Sequence, residues 1–311
     1  MRYAILGTGA LGGLYGSLLA KAGQEVHFLA RSDFEHIQEH GLEIESPWGD
    51  FHLPSVNVYR AAEDIPAVDV AIVAWKATQN EQLAQVLPAV CSDETLVLVL
   101  QNGYDIERSA AEALGADTQI LGGCCFLCCN KTEPGKIQHL DYGKIAFGEY
   151  ASSLRGSITD RMQRITAEFA SAGIPMQESE DLFQTRWQKL MWNIPFNGLS
   201  VVLNADTKQL TTHPAALRLV QMLMTEVQQC ASVCGYEIPV GFAEKLVRDT
   251  ERMVPYDSSM ALDYRYRRPI EVEAIFGNPL RAAVERGYHP AAVESLYRQL
   301  HYLNDLNLQG S

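Results

Sequence analysis

The stretch from Ile5 to Gly13 constrains this chain more than any other. A short apolar run, RYAILG, ends on a glycine, and G-x-G-x-x-G falls at Gly7, Gly9 and Gly12, where the helical pattern ALGGLYGSLLAKAG begins. A second apolar run, EVHFLAR, follows that helix and completes the strand-helix-strand unit that gives the motif its meaning. Gly7 permits the tight turn, Gly9 lets the backbone approach a pyrophosphate, and Gly12 lets the helix pack closely on the strand. The helix N-terminus, with Thr8, Ala10 and Leu11 completing the loop, then offers backbone N–H groups and a dipole to the phosphate charge. The alternative is a glycine-rich turn that holds no ligand.

The end of the second strand discriminates between dinucleotides. A site for NAD places an acidic residue there for the ribose hydroxyl, whereas an arginine accommodates a 2′-phosphate. Ala30 and Arg31 occupy that place, and a guanidinium matches phosphate oxygens, so the spacing favours NADPH. Asp33 is the acidic rival and reads as a helix cap; Arg31 read without a ligand is a solvated loop charge.

Further along, VDVAIVAWK and TLVLVLQNG are apolar runs bounded by polar residues, the pattern of strands buried on both faces of a parallel sheet. EQLAQVLPAV between them reads as a helix. QILGGCCFLCCN and GKIAFGE read as further strands, with PGKIQHLDYG as turn-rich chain between them. From about Ser179 the signals become helical. The expected architecture is α/β: an N-terminal Rossmann-type doubly wound sheet over residues 1–176, holding NADP, and an all-helical C-terminal domain over 177–311, holding the substrate and the catalytic groups. A length of 311 residues fits two domains of about 150 each.

Composition excludes several classes. With 25 Lys and Arg against 38 Asp and Glu, the net charge is −13. That suits neither nucleic acid nor an anionic membrane surface. No apolar run reaches the roughly 20 residues of a membrane span, and the N-terminal run meets glycines where an export signal continues apolar. Seven cysteines, an odd number, fit reduced thiols and a cytoplasmic protein. On a strand, adjacent cysteines point to opposite faces, so Cys124, Cys125, Cys128 and Cys129 do not converge as a metal site and no metal is expected.

Ligands of open α/β sheets lie beyond the carboxyl ends of strands. Lys76 ends one strand and Gln101-Asn102-Gly103 another. Asn102 reads as a binding residue or a simple turn, and Lys76 as a binding residue or a solvated lysine. In the second half, RWQKLMWNIPFNGLS places Lys189, Asn193 and Asn197 four residues apart on one helical face among apolar neighbours. A polar stripe on a buried helix requires partners or a ligand. Its bland reading is a solvated stripe capped at Asn197-Gly198. A lysine there, with its pKa lowered by desolvation, can donate a proton to the alkoxide that forms when hydride reduces a ketone. Glu271 or Glu273 can hold such a lysine in place.

The ordered set GTGALGG, LARS, WKAT, QNG, the W-x-K-L-x-x-N-x-x-x-N helix, SSM and EVEAIFGN resembles the ketopantoate reductase (2-dehydropantoate 2-reductase) family over nearly the whole chain. The resemblance implies NADPH-dependent reduction of 2-dehydropantoate to D-pantoate, on the route to pantothenate and coenzyme A. It assigns Lys189 as general acid, Glu271 as its paired carboxylate, and Glu273 a structural role. It assigns Asn193, Asn197, Ser259 and Asn102 to the substrate. Gly7, Thr8, Gly9, Ala10, Leu11, Gly12, Arg31, Lys76 and Asn102 go to the cofactor. Ser259 read alone is a loop or cap serine. Two stretches depart from the family's habit: Tyr104-Asp105-Ile106-Glu107 after QNG, and the cysteine-rich GGCCFLCCN. The other readings are a related dehydrogenase acting on another 2-keto or hydroxy acid, and a non-catalytic NADPH-binding sensor. A lost Lys189 or Glu271 is what a sensor calls for, and both are present. The helical half offers surface for a homodimer, though no feature demands one.

Overall fold

A computed structural model describes residues 1–309. It divides into two compact units. The first is Met1–Gln101 with Ile106–Leu182; the second is Asn102–Asp105 with the chain from Phe183 onward. Each has its own apolar core.

The first unit is built on a ten-stranded sheet. Its strands are β1 (Arg2–Leu6), β2 (Glu25–Leu29), β3 (Leu42–Glu45), β4 (Phe51–Leu53), β5 (Asn57–Tyr59), β6 (Val70–Val73), β7 (Leu96–Val99), β8 (Ile120–Glu133), β9 (Lys136–Glu149) and β10 (Met176–Glu178). They lie in the order β4-β3-β9-β8-β7-β6-β1-β2-β5, with β10 also paired to β9. The helices are α1 (Ala10–Lys21), α2 (Phe34–His40), α3 (Leu83–Val90), α4 (Arg108–Leu114) and α5 (Asp160–Ser171). From β8 through β5 the neighbours are parallel, which is the doubly wound core that the apolar runs imply. Strand β1 has β2 on one side and β6 on the other, so chain order reverses across it, and such a reversal is where an open α/β sheet leaves a ligand crevice.

Two expectations need correction. PGKIQHLDYG is not a turn-rich connection. Only Pro134-Gly135 turns, with Gly135 at φ +68°, and the rest is the first half of β9, antiparallel to β8. Ile137 and His139 alternate into the interior there, a two-residue period masked in the sequence by the polar residues between them. Register shifts along the hairpin and the left-handed Tyr142 and Gly143 interrupt the pattern further. The second concerns the limit at 176/177. It falls inside β10, whose pairing with β9 keeps it in the first unit, and the division comes after Leu182.

The second unit is helical. It holds α6 (Leu182–Val202, whose first residue groups with the first unit), α7 (Thr207–Thr212), α8 (Pro214–Val233), α9 (Phe242–Arg252), α10 (Ser259–Arg265), α11 (Asn278–Val284) and α12 (Ala291–Gln309). One π-helical turn, Glu273–Gly277, runs directly into α11. Among the described residues, no helix is long and apolar enough to cross a membrane.

What positions the glycine loop is the depth to which α1 sinks onto the sheet. A Cβ on Gly16 would lie 2.5 Å from the Phe28 ring and 2.8 Å from Ile5, and one on Gly12 would lie 2.9 Å from Ile5. These glycines, one helical turn apart, let the helix axis approach β1 and β2. We expect Gly16→Val to cost about 1–3 kcal/mol through overpacking, read as a fall in the denaturant midpoint at unchanged slope.

Candidate functional sites

In the first unit the loop after β1 opens on a cleft of about 250 Å³, lined by Gly7, Thr8, Gly9, Leu29, Ala30, Arg31, Ser32, Asp33, Trp75, Gln79, Gln82 and Lys131. Gly7 adopts φ +106°, and a Cβ there would lie 2.8 Å from Trp75. A Cβ on Gly12 would lie 2.2 Å from the Gly7 carbonyl oxygen. Gly9 differs: nothing lies within 4 Å of where its Cβ would be. The turn and the packing therefore require the first and third glycines, while the second faces open space. Gly9 is also the N-cap of α1, whose first turn has no side-chain cap and no acidic residue. That leaves Ala10, Leu11 and Gly12 at a helix N-terminus suited to an anion. The buried Thr8 hydroxyl donates to the Leu29 carbonyl at 3.1 Å and ties the loop to the end of β2.

Arg31 stands exposed at the rim of this cleft, and its guanidinium is 3.5 Å from the Gln79 side-chain oxygen. Asp33 does not act as a helix cap; the N-cap position of α2 makes no side-chain hydrogen bond. Its carboxylate instead accepts from Lys131 at 2.9 and 2.7 Å and from Ser32 at 2.7 Å. Trp75, Gln79, Gln82 and Lys131 are cleft residues that the sequence did not reveal. The first three follow β6, where the topology rule points. Lys131 comes from a hairpin roughly a hundred residues past the glycine loop and carries no local signal. Lys76 lies half-buried at the N-cap of the 3-10 turn 77–82. The loop before it is braced by the buried Gln101, whose amide donates to the Trp75 carbonyl at 3.0 Å and to Asn80 at 2.6 Å.

In the second unit, α6 runs unbroken from Leu182 to Val202, through Pro195. Lys189 is half-buried, whereas Asn193 and Asn197 are 2% and 3% exposed. The solvated-stripe reading is thereby excluded. Gly198 does not end the helix; a Cβ there would meet Leu296 at 2.6 Å. Asn193 donates to the Asn102 side-chain oxygen at 3.3 Å, which brings the turn after β7 to the stripe. That turn is held by its neighbours. Tyr104 N–H donates to the Ala274 carbonyl, the Asn278 amide donates to the Tyr104 carbonyl, and the Tyr104 ring packs on Trp187. Gly103, at φ +127°, passes where a Cβ would lie 2.6 Å from the Ala274 carbonyl oxygen.

Glu271 is buried at 5% exposure just ahead of the π-helical turn. The Ser259 side chain is not the cap of α10. Ser258 is, accepting from the Ala261 N–H at 3.1 Å and sharing a 2.6 Å hydrogen bond with Ser200, while Ser259 opens the helix half-buried. Glu273 is engaged elsewhere: it accepts from Tyr297 at 2.6 Å, Arg281 at 2.7 Å and His301 at 2.9 Å. The cysteines face different surroundings. Cys125 points at the Leu100 carbonyl and Cys129 at the Ala10 carbonyl, and burial raises the Cys129 thiol to about 12.

With these features in place, relatives can be compared. Residues 3–152 match the family described as Ketopantoate reductase PanE/ApbA, and residues 181–304 match its C-terminal domain. A 2-dehydropantoate 2-reductase of a Nostoc species is 49% identical over 99% of this chain and 97% of its own. The chain belongs to the ketopantoate reductase family. Its members are oxidoreductases, and the fold agrees with solved ones. The 2-dehydropantoate 2-reductase of Geobacter metallireducens superposes with a TM-score of 0.93 at 37% identity, covering 97% of this chain and 99% of that one. The enzyme from Methylococcus capsulatus gives 0.88 at 31% identity, covering 99% and 98%.

Glu273 generates a pH prediction. Burial alone raises its carboxyl pKa, but the hydrogen bonds from Tyr297, Arg281 and His301 outweigh it and leave the group below its ordinary value of about 4.5. A lowered native pKa contributes stability that is present above that ordinary value and lost as pH falls through the native one. Between about pH 6 and pH 3, the wild type should therefore lose unfolding free energy more steeply than Glu273→Gln.

Proposed function

We propose that this protein catalyses the NADPH-dependent reduction of 2-dehydropantoate to D-pantoate, on the route to pantothenate. The observation that carries the reading is the alignment of Lys189, Asn193 and Asn197 on the buried face of α6, in a chain 49% identical to a 2-dehydropantoate 2-reductase. The first unit is the NADP-binding unit. Gly7, Thr8, Gly9, Ala10, Leu11 and Gly12 hold the pyrophosphate at the N-terminus of α1, Arg31 takes the ribose 2′-phosphate, and Lys76 and Asn102 serve the nicotinamide side. The open space at Gly9 and the uncapped helix N-terminus fit a dinucleotide. When bound, the reduced nicotinamide supplies a hydride.

The second unit supplies the remaining chemistry. Hydride addition to the keto carbon leaves negative charge on its oxygen, and a nearby cation that also donates a proton lowers that barrier. Lys189 is that group: its ammonium transfers a proton to the forming alkoxide and then regains one from solvent. Glu271 orients the ammonium. Asn193, Asn197 and Asn102 fix the keto acid by hydrogen bonds, and Ser259 receives its carboxylate. Asn193 and Asn197 suit this task because a buried amide has few alternative partners.

We also infer cytoplasmic placement, which the odd number of cysteines, seven, supports. We further propose a homodimer, with the helical unit providing the surface.

Substrate identity is tested by following NADPH absorbance across a panel of 2-keto acids. We expect 2-dehydropantoate to give the highest kcat/KM; turnover confined to another keto acid makes this chain a related dehydrogenase, and turnover of none makes it a sensor. Lys189→Ala should lower kcat by about 10²–10⁴-fold, the usual worth of a general acid, while dinucleotide binding followed by fluorescence survives. NADPH should bind more tightly than NADH, and Arg31→Ala should narrow the difference; equal affinities in the wild type remove Arg31 from this role.

A further inference from the structure

The cleft beside the glycine loop contains the acidic residue that the NADPH reading has to account for. Asp33 lies four residues beyond β2, at the N-cap position of α2, among the lining residues; an ionised carboxylate in such a cleft accepts a ribose hydroxyl and repels a 2′-phosphate. Its side chain is 7% exposed. Burial alone raises its pKa, yet the hydrogen bonds from Lys131 and Ser32 prevail and hold it below the usual carboxylate value. Asp33 is thus an anion, and its negative charge stays in the cleft.

Lys131 answers that charge. It reaches the cleft from β8, near the tip of the long hairpin, and its ammonium contacts both carboxylate oxygens of Asp33. With its side chain 30% exposed, it still faces the cleft it lines with Arg31. An ammonium has three donors, and Asp33 accepts two of them. The local charges are Arg31 and Lys131 positive and Asp33 negative, so the lining is net positive with Lys131 and neutral without it.

We propose that Lys131 is a second determinant of dinucleotide choice: held by Asp33, it presents its ammonium to the ribose 2′-phosphate alongside Arg31. The pair resolves the conflict between an acidic residue in the ribose position and a phosphorylated ribose. Asp33 turns its carboxylate to Lys131 in place of the ribose hydroxyl, and in doing so fixes the rotamer of a flexible lysine. Lysine serves here as a point charge, which suits a phosphate already met by a guanidinium. The inference rests on the NADPH reading above.

The test is a fluorescence titration of NADPH and NADH into wild type, Lys131→Arg, Lys131→Gln, Asp33→Asn and the double variant. Wild type is read first: absence of an NADPH preference defeats the NADPH reading itself, before any variant is considered. Given that preference, Lys131→Gln should shrink the ratio of the two dissociation constants by about tenfold or more, the usual worth of a charge-assisted contact, and Lys131→Arg should retain most of it. Asp33→Asn should keep or widen the preference. The deciding comparison uses proteins with no unpaired buried acid: the double variant should discriminate less than Asp33→Asn alone, by about fivefold or more. Equal discrimination in those two overturns the proposal, since Lys131 then only masks Asp33. Equal weakening of both dinucleotides in Lys131→Gln overturns it as well, since the lysine is then holding the hairpin and not reading the phosphate.

Discussion

The first unit depends on how closely one helix can approach a sheet. Helix α1 aims its N-terminus at the cleft, and it can do so only because Gly12 and Gly16 leave room for Ile5 and Phe28 where side chains would otherwise stand. A helix raised by a methyl group or two would carry the dipole and the loop N–H groups away from the strand ends. The turn at Gly7 then threads past Trp75, and the Thr8 hydroxyl ties it to β2. The anion site proposed here is therefore a consequence of packing: its charge is partial charge on backbone, placed by the absence of side chains. A chain with a net charge of −13 can in this way offer a local site to an anion.

The second unit solves a different problem. The site residues proposed for it are side chains, and their placement requires burial without loss of polarity. The stripe on α6 achieves this by helical period alone, with apolar residues carrying the core and every fourth position left for a lysine or an asparagine. The turn 102–105 is then held against Ala274 of the π-helical turn and Asn278 at the start of α11, and Asn193 meets Asn102 there. Glu273, bound to α11 and α12 through Arg281, Tyr297 and His301, fixes the same segment from its other side. A π-helical turn commonly marks a functional site, and here it begins at the second of two glutamates that differ by two positions. Glu271 is left buried ahead of it, and Glu273 is committed to the scaffold.

Most of this was legible in the sequence because most of it is local. The glycine loop, the parallel strands and the α6 stripe are short-range patterns whose physical meaning does not depend on distant residues. The misses are non-local. The first half of β9 reads as turn because one of its inward residues, His139, is polar while the outward Leu140 is apolar, and because Tyr142 and Gly143 interrupt the alternation. Asp33 reads as a cap because a carboxylate ahead of a helix normally serves that purpose. Its real partner, Lys131, is almost a hundred positions away, and only the pairing of the sheet brings it near. Ser258, and not Ser259, caps α10, and no one-dimensional rule separates two adjacent serines.

The chain's crossing at Asn102–Asp105 also affects how this molecule can be taken apart. Four residues encoded in the middle of the sheet-bearing half belong structurally to the helical half, where the Tyr104 ring covers the Trp187 indole. No single cut, whether by a protease or by a gene boundary, releases either half whole. A fragment ending near Leu182 keeps an aromatic side chain that has lost its socket, and the complementary fragment exposes an indole that has lost its cover. In evolutionary terms the two halves cannot be shuffled as cassettes; they have to be inherited together.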